Sequence, residues 1–192
     1  MERLIIEELL QWKTSPRRKP LILNGARQVG KTWILKHFGE MHYDNVAYIN
    51  CDKELLAAKL FEDYDVKRII QALEAMTNTQ IVAGKTLIII DEIQEVPRGL
   101  HALKYFAENA PEQHIAVAGS LLGLLLYQGE SFPVGKVNIL QMHPMTFLEF
   151  LKAIGEDKMY QLLLNREWNV ANTVHEKIVK HLRNARGGTG VL

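Results

Sequence analysis

Two short stretches of the chain carry residue types that do phosphate chemistry. The first, GARQVGKT from Gly25 to Thr32, has the spacing GxxxxGK[ST]. Gly25 and Gly30 permit backbone angles closed to other residues, so successive N–H groups from about Arg27 to Thr32 can curl around a phosphate at a helix N-terminus. The expected cradle comprises Gly25, Arg27, Gln28, Val29, Gly30, Lys31, Thr32 and, one residue into the helix, Trp33. Lys31 adds a mobile cation between β- and γ-phosphates, and the Thr32 hydroxyl sits on Mg²⁺. A plain turn leading into a helix is the bland alternative. From average composition these four residue types reach this spacing by chance with a probability on the order of one per cent in a chain this long, which favours the cradle.

The second stretch, TLIIIDE at 86–92, is an apolar run ending in two carboxylates. Buried acids at a strand end are costly unless they meet a cation or polar partners. Mg²⁺ keeps several waters and takes one or two protein oxygens, so Asp91 with Thr32 is the expected metal pair. Glu92, one residue on, is placed to polarise an attacking water as a general base. Ser120, after Gly119, offers a third polar group; it either senses the γ-phosphate or belongs to ordinary Gly-Ser turn chemistry, and the residues leave both readings open. The expected catalytic set is Glu92, Lys31 and Ser120. Gln94 relays the state of the site or is a solvated loop residue.

Elements that position these residues are visible as alternating patterns. LILN at 21–24, VAYIN at 46–50, TLIII at 86–90, HIAVAG at 114–119 and, more weakly, VNIL at 137–140 are strand candidates. Between them lie helical spacings: Ile34, Leu35 and Phe38 with Gly39 as a stop; Val66, Ile69, Ile70, Leu73 and Met76; Leu100, Leu103, Phe106 and Ala110. Near-continuous apolar strands alternating with helices point to a parallel sheet covered on both faces, a three-layer α/β architecture. A helix over the first 13 residues precedes the first strand, and beyond Pro144 only helical spacing remains. The expected division is a core at 1–150 and a helical extension at 151–192, an incomplete lid or the start of a further domain, with a flexible glycine-rich tail at 187–192.

Composition excludes several classes. With 23 Lys and Arg against 22 Asp and Glu, the whole chain has no field that implies nucleic acid or an anionic membrane. A nucleic acid partner has to be argued locally, from Arg17, Arg18, Lys19 and the segment from Lys177 to Arg186, and such charge runs are usually solvation. One cysteine, Cys51, cannot form an internal disulfide, so a reducing, cytoplasmic setting is expected. LLGLLLY at 121–127 is too short to span a bilayer. The scattered histidines His101, His114 and His143, and the tryptophans Trp12, Trp33 and Trp168, read as packing rather than chemistry.

GARQVGKT, LIIIDEIQ, the turn AGS at 118–120 and ILQMHPMTFLEF at 139–150 together resemble the bacterial and archaeal AAA+-type ATPases whose P-loop domain usually precedes a DUF4143 domain. The resemblance spans roughly residues 1–150. It implies an ASCE-like P-loop NTPase fold, α/β with a five-stranded parallel sheet, that binds ATP and Mg²⁺ and hydrolyses ATP. Lys31 and Thr32 then lie on phosphate and Mg²⁺, Asp91 on Mg²⁺, Glu92 activates water and Ser120 acts as a sensor. Where the family tends to have Gly-Arg ahead of the fifth strand, this chain has Gly135 and Lys136.

Two functional readings follow. In one, ATP hydrolysis drives conformational change, slowly in a dilute monomer if an arginine finger comes from a neighbouring subunit of a homo-oligomer; Arg98, Arg166 and Arg183 are candidates only as arginines. In the other, nucleotide binding orders a surface for a protein partner, with little turnover. No NKxD-type guanine reader and no DxxG switch accompanies the loop, which places GTPases low.

Overall fold

The computed structural model describes residues 4–54, 56–119 and 135–187. In chain order its elements are α1 (Ile5–Thr14), β1 (Leu21–Gly25), α2 (Lys31–His42), β2 (Asn45–Asn50), α3 (Ala57–Leu60), α4 (Val66–Thr77), β3 (Thr86–Asp91), a 3₁₀ turn (Ile93–Glu95), α5 (Pro97–Asn109), β4 (His114–Gly119), β5 (Asn138–Met142), α6 (Phe147–Ala153), α7 (Asp157–Leu164), α8 (Trp168–Thr173) and α9 (His175–Gly187). They fall into two compact units, Glu7–His143, and Met1–Ile6 with Pro144–Leu192.

In the larger unit the five strands form one parallel sheet in the order β2-β3-β4-β1-β5. Every residue of β3 and β4 is buried, whereas the edge strands β2 and β5 alternate between buried and open positions. This is what helices on both faces dictate: central strands need apolar side chains on both sides, and edges do not. Ile22, Ile88, Ile90, Ile115 and Val117 point to the face covered by Ile69 and Leu73 of α4 and Leu103 and Phe106 of α5. The alternate residues Leu21, Leu23, Leu87 and Ile89 are equally buried, and α2 lies across β1 to β4 with Ile34, Leu35 and Phe38 inaccessible.

Local chemistry sets the ends of these helices. Asp65 caps α4 by accepting from the N–H groups of Lys67 and Arg68, and Asn78, left-handed at φ 49°, closes it. Gly39 was expected to stop the helix after the loop, yet α2 runs on to His42. Its absent side chain serves packing instead, since a Cβ there would lie 2.5 Å from Val46 Cγ2 on β2.

The smaller unit is helical. Thr146 and Glu149 form a capping box at the start of α6, and Glu149 Oε1 also accepts from the Leu4 N–H at 3.1 Å. Leu151, Met159 and Ala171 are buried there. Trp168 is not the packing residue expected of it, being 58% exposed, because the short helix α8 buries only Ala171.

Candidate phosphate and metal site

The loop between β1 and α2 begins where β1 pairs with β5. Gly25 faces Met142 across that pair, and a Cβ on Gly25 would come within 2.4 Å of the Met142 carbonyl oxygen. Gly25 therefore permits a close backbone approach. The left-handed turns of the loop fall on Gln28 (φ 63°) and Gly30 (φ 90°), so the curl expected from two glycines uses one glycine and one glutamine. A glutamine in that region costs ~1 kcal/mol, which the surrounding loop must offset.

Among the described residues no side chain caps α2 at Gly30, so the first N–H groups of the helix keep their capacity for an anion. Lys31, buried at 7% exposure, donates from Nζ to the carbonyls of Gly25 (2.9 Å) and Ala26 (2.7 Å). Burial pulls its ammonium below the usual lysine range, opposed by the charges of Glu92 and Asp91. Arg27 and Gln28 are exposed and Val29 half-buried. Trp33 is 46% exposed and stacks on His37 with ring centres 4.8 Å apart, so its indole is a surface group rather than core packing: the first turn of α2 turns this flank outward.

Thr32 Oγ1 donates to Asp91 Oδ2 at 2.7 Å, joining the helix after β1 to the end of β3. Asp91 is 3% exposed, and its Oδ1 accepts from the Glu92 N–H at 3.1 Å. A hydroxyl and a carboxylate oxygen meeting at a buried strand end are hard donors of the kind Mg²⁺ takes in small number, so the pair fits that ion. Among the described residues no group of three or more His, Cys, Asp or Glu is placed to hold a metal.

Sequence reasoning missed Tyr48. Its hydroxyl donates to Asp91 Oδ2 at 3.3 Å, the Lys36 ammonium lies 3.4 Å from its ring centre, and the Asn50 amide donates to its oxygen at 3.5 Å. Burial raises the phenol above its ordinary range. The available signal was the pair Tyr48 and Asn50, two apart in VAYIN and so on one sheet face, but its meaning depends on β2 pairing with β3 so that Asn50 sits opposite Asp91.

Glu92 is left-handed (φ 50°, ψ 44°) and its Oε2 accepts from Gln94 Nε2 at 2.5 Å. Gln94 is thus bound to the candidate base rather than solvated, and its buried Oε1 has no partner among the described residues. Ser120 lies outside the described residues, as do residues 121–127. Arg98 donates to the Glu62 carbonyl at 2.5 Å and covers the Tyr64 ring. Lys136 pairs with Glu108 at 3.0 Å.

A five-stranded parallel sheet in this order, with the GxxxxGKT loop between its first strand and the helix that follows, defines a P-loop, nucleotide-binding domain of the AAA+ ATPase type. The AAA domain family matches residues 17–151, and the chain belongs to that family. Among solved structures it is similar to a chain of Drosophila ORC bound to DNA, at 14% identity and a TM-score of 0.51, covering 95% of this chain and 51% of that one. It is also similar to the ORC1 protein of Aeropyrum pernix in complex with DNA, at 17% identity and a TM-score of 0.47, covering 80% of this chain and 47% of that one. The chain thus spans about half the length of either, and the likeness to the Drosophila chain is one of fold. No curated protein matches the chain. Among the described residues no helix is long and apolar enough to cross a membrane.

Proposed function

We propose that this chain binds Mg-ATP and hydrolyses it to ADP and phosphate, and that the nucleotide state is coupled to a change in conformation. One observation carries the reading: the 2.7 Å bond from Thr32 to Asp91 brings the last residue of the phosphate loop against the acid of a distant strand, beside Lys31. The N–H groups from Arg27 to Thr32 bind the phosphates, with the Trp33 main chain continuing the turn. Lys31 leaves the Gly25 and Ala26 carbonyls and donates to the β- and γ-phosphates. Thr32 and Asp91 hold Mg²⁺, which when bound neutralises charge on the phosphate oxygens. Glu92 orients water on the γ-phosphate and accepts its proton as the new P–O bond forms and the bond to the bridging oxygen breaks. Ser120 acts as a sensor of the γ-phosphate, and Arg98, already engaged, is the weakest candidate for a finger.

On this reading residues 1–150 form the ATPase core and 151–192 an extension toward a lid or a further domain of the DUF4143 type, and a homo-oligomer supplies the finger in trans. Calorimetry with Mg-ATP and Mg-GTP on the wild type and Lys31→Ala tests it. Losing the charged hydrogen bonds of Lys31 should weaken Mg-ATP binding by about 10- to 100-fold; equal affinity of both proteins removes the site.

A second reading, a nucleotide-controlled interaction module with little turnover, is favoured by the engagement of Glu92 with Gln94. Glu92→Gln separates the two: a module keeps its ATP-dependent partner response, whereas an ATP-driven machine stalls.

A further inference from the structure

Resting on the Mg-ATP reading, we propose that Tyr48 is a positioning residue for the metal site, its hydroxyl holding the Asp91 carboxylate in the orientation that meets Mg²⁺. Asp91 Oδ2 accepts from two hydroxyls, Thr32 at 2.7 Å and Tyr48 at 3.3 Å, while Oδ1 is held by the Glu92 N–H at 3.1 Å. With Mg²⁺ bound, Thr32 would give its hydroxyl oxygen to the ion, and Tyr48 is the other hydroxyl that reaches the same carboxylate oxygen. At 3.3 Å the Tyr48 bond is long for an O–H···O contact, as fits an oxygen whose nearer side is occupied by Thr32.

The phenol is itself fixed. The Lys36 ammonium sits 3.4 Å from its ring centre and the Asn50 amide reaches its oxygen at 3.5 Å. Three elements therefore converge on one carboxylate: α2 through Thr32 and Lys36, β2 through Tyr48 and Asn50, and β3 through Asp91 itself. Groups that hydrogen-bond a ligating carboxylate set its orientation and basicity, and losing one costs about 10- to 100-fold in metal affinity.

The test uses the full chain and a fluorescent N-methylanthraniloyl ATP. Its affinity is measured first in EDTA and then as Mg²⁺ is titrated in, for the wild type, Tyr48→Phe, Lys36→Met and Asp91→Asn. Tyr48→Phe keeps the ring and its cation contact, so metal-free nucleotide affinity stays at the wild-type value while the Mg²⁺ concentration for half effect rises about 10-fold. Lys36→Met, which frees the ring but leaves the hydroxyl, gives a smaller rise of about 2- to 3-fold. An unchanged Mg²⁺ requirement in Tyr48→Phe, with a raised one in Asp91→Asn, overturns the positioning role and leaves the Mg-ATP reading standing. An unchanged requirement in Asp91→Asn overturns the metal site beneath both. Loss of metal-free binding in Tyr48→Phe makes the residue a structural one and also overturns the inference.

Discussion

His114, the first residue of β4, makes the stability of this domain depend on acid in a calculable way. Its ring is 6% exposed, lies edge-on to Trp12 and Tyr43, and shares a hydrogen bond of 2.7 Å between Nδ1 and the Tyr43 hydroxyl. Burial, then the nearby charges of Arg18 and Lys13, push its pKa from 6.5 down to about 4. The unfolded chain takes up this proton at about pH 6.5, and the folded chain resists it until about pH 4. Stability from His114 is therefore fully present above the higher value, is lost as pH falls between the two, and is gone below the lower one. At ~1.4 kcal/mol per pH unit the loss is limited to ~3 kcal/mol, of which ~2 kcal/mol is gone between about pH 7 and about pH 4.5. Urea unfolding of the wild type and His114→Gln at intervals across that range measures it. Glutamine keeps an acceptor for Tyr43 but does not titrate, so the difference between the two proteins isolates His114 from the carboxylates. The wild-type advantage should shrink by ~2 kcal/mol toward acid. A difference that stays constant from neutral pH to about pH 4.5 refutes the argument from burial.

Three further substitutions test packing and helix capping around the sheet. Gly39→Ala places a Cβ 2.5 Å from Val46 Cγ2, a short branched side chain that cannot swing aside, and should cost about 1–3 kcal/mol in urea unfolding. Val46→Ala in the same protein removes the obstacle, so a double-mutant cycle should return a favourable coupling of ~1 kcal/mol or more. Asp65→Ala removes the cap that accepts from the Lys67 and Arg68 N–H groups at 3.0 and 3.3 Å; ~1 kcal/mol of stability should go, with nucleotide affinity intact because α4 lies on the sheet face away from α2.

What could be read without coordinates follows from how local each feature is. The GxxxxGKT loop between a strand and a helix was legible because its pattern sits within eight consecutive residues, and the buried strand end at Asp91 because the apolar run stops there. The buried strands β1, β3 and β4 announced themselves by continuous apolar character, while β5 was faint because an edge strand alternates and this one, with Ile139 and Gln141 on its open positions, mixes polar and apolar residues on both faces. Gly39 was misread since a glycine in a helical pattern signals a stop or a close approach equally well, and only Val46 across the gap decides between them. Trp33 and Trp168 failed for a similar reason: type suggests burial, but the flank of the helix sets it. Tyr48 was out of reach, and Gln94 was legible only as a choice between a relay and a solvated loop residue. Gln94 turns back on Glu92 only because Glu92 adopts a left-handed backbone that its residue type does not announce. Tyr48 meets Asp91 only because β2 and β3 pair in a register that matches Asn50 with Asp91, although residues 51–85 separate the two strands. A residue whose task lies across a strand pair is defined by sheet order, and that order is fixed by the burial of the whole sheet rather than by anything near Tyr48 in the chain.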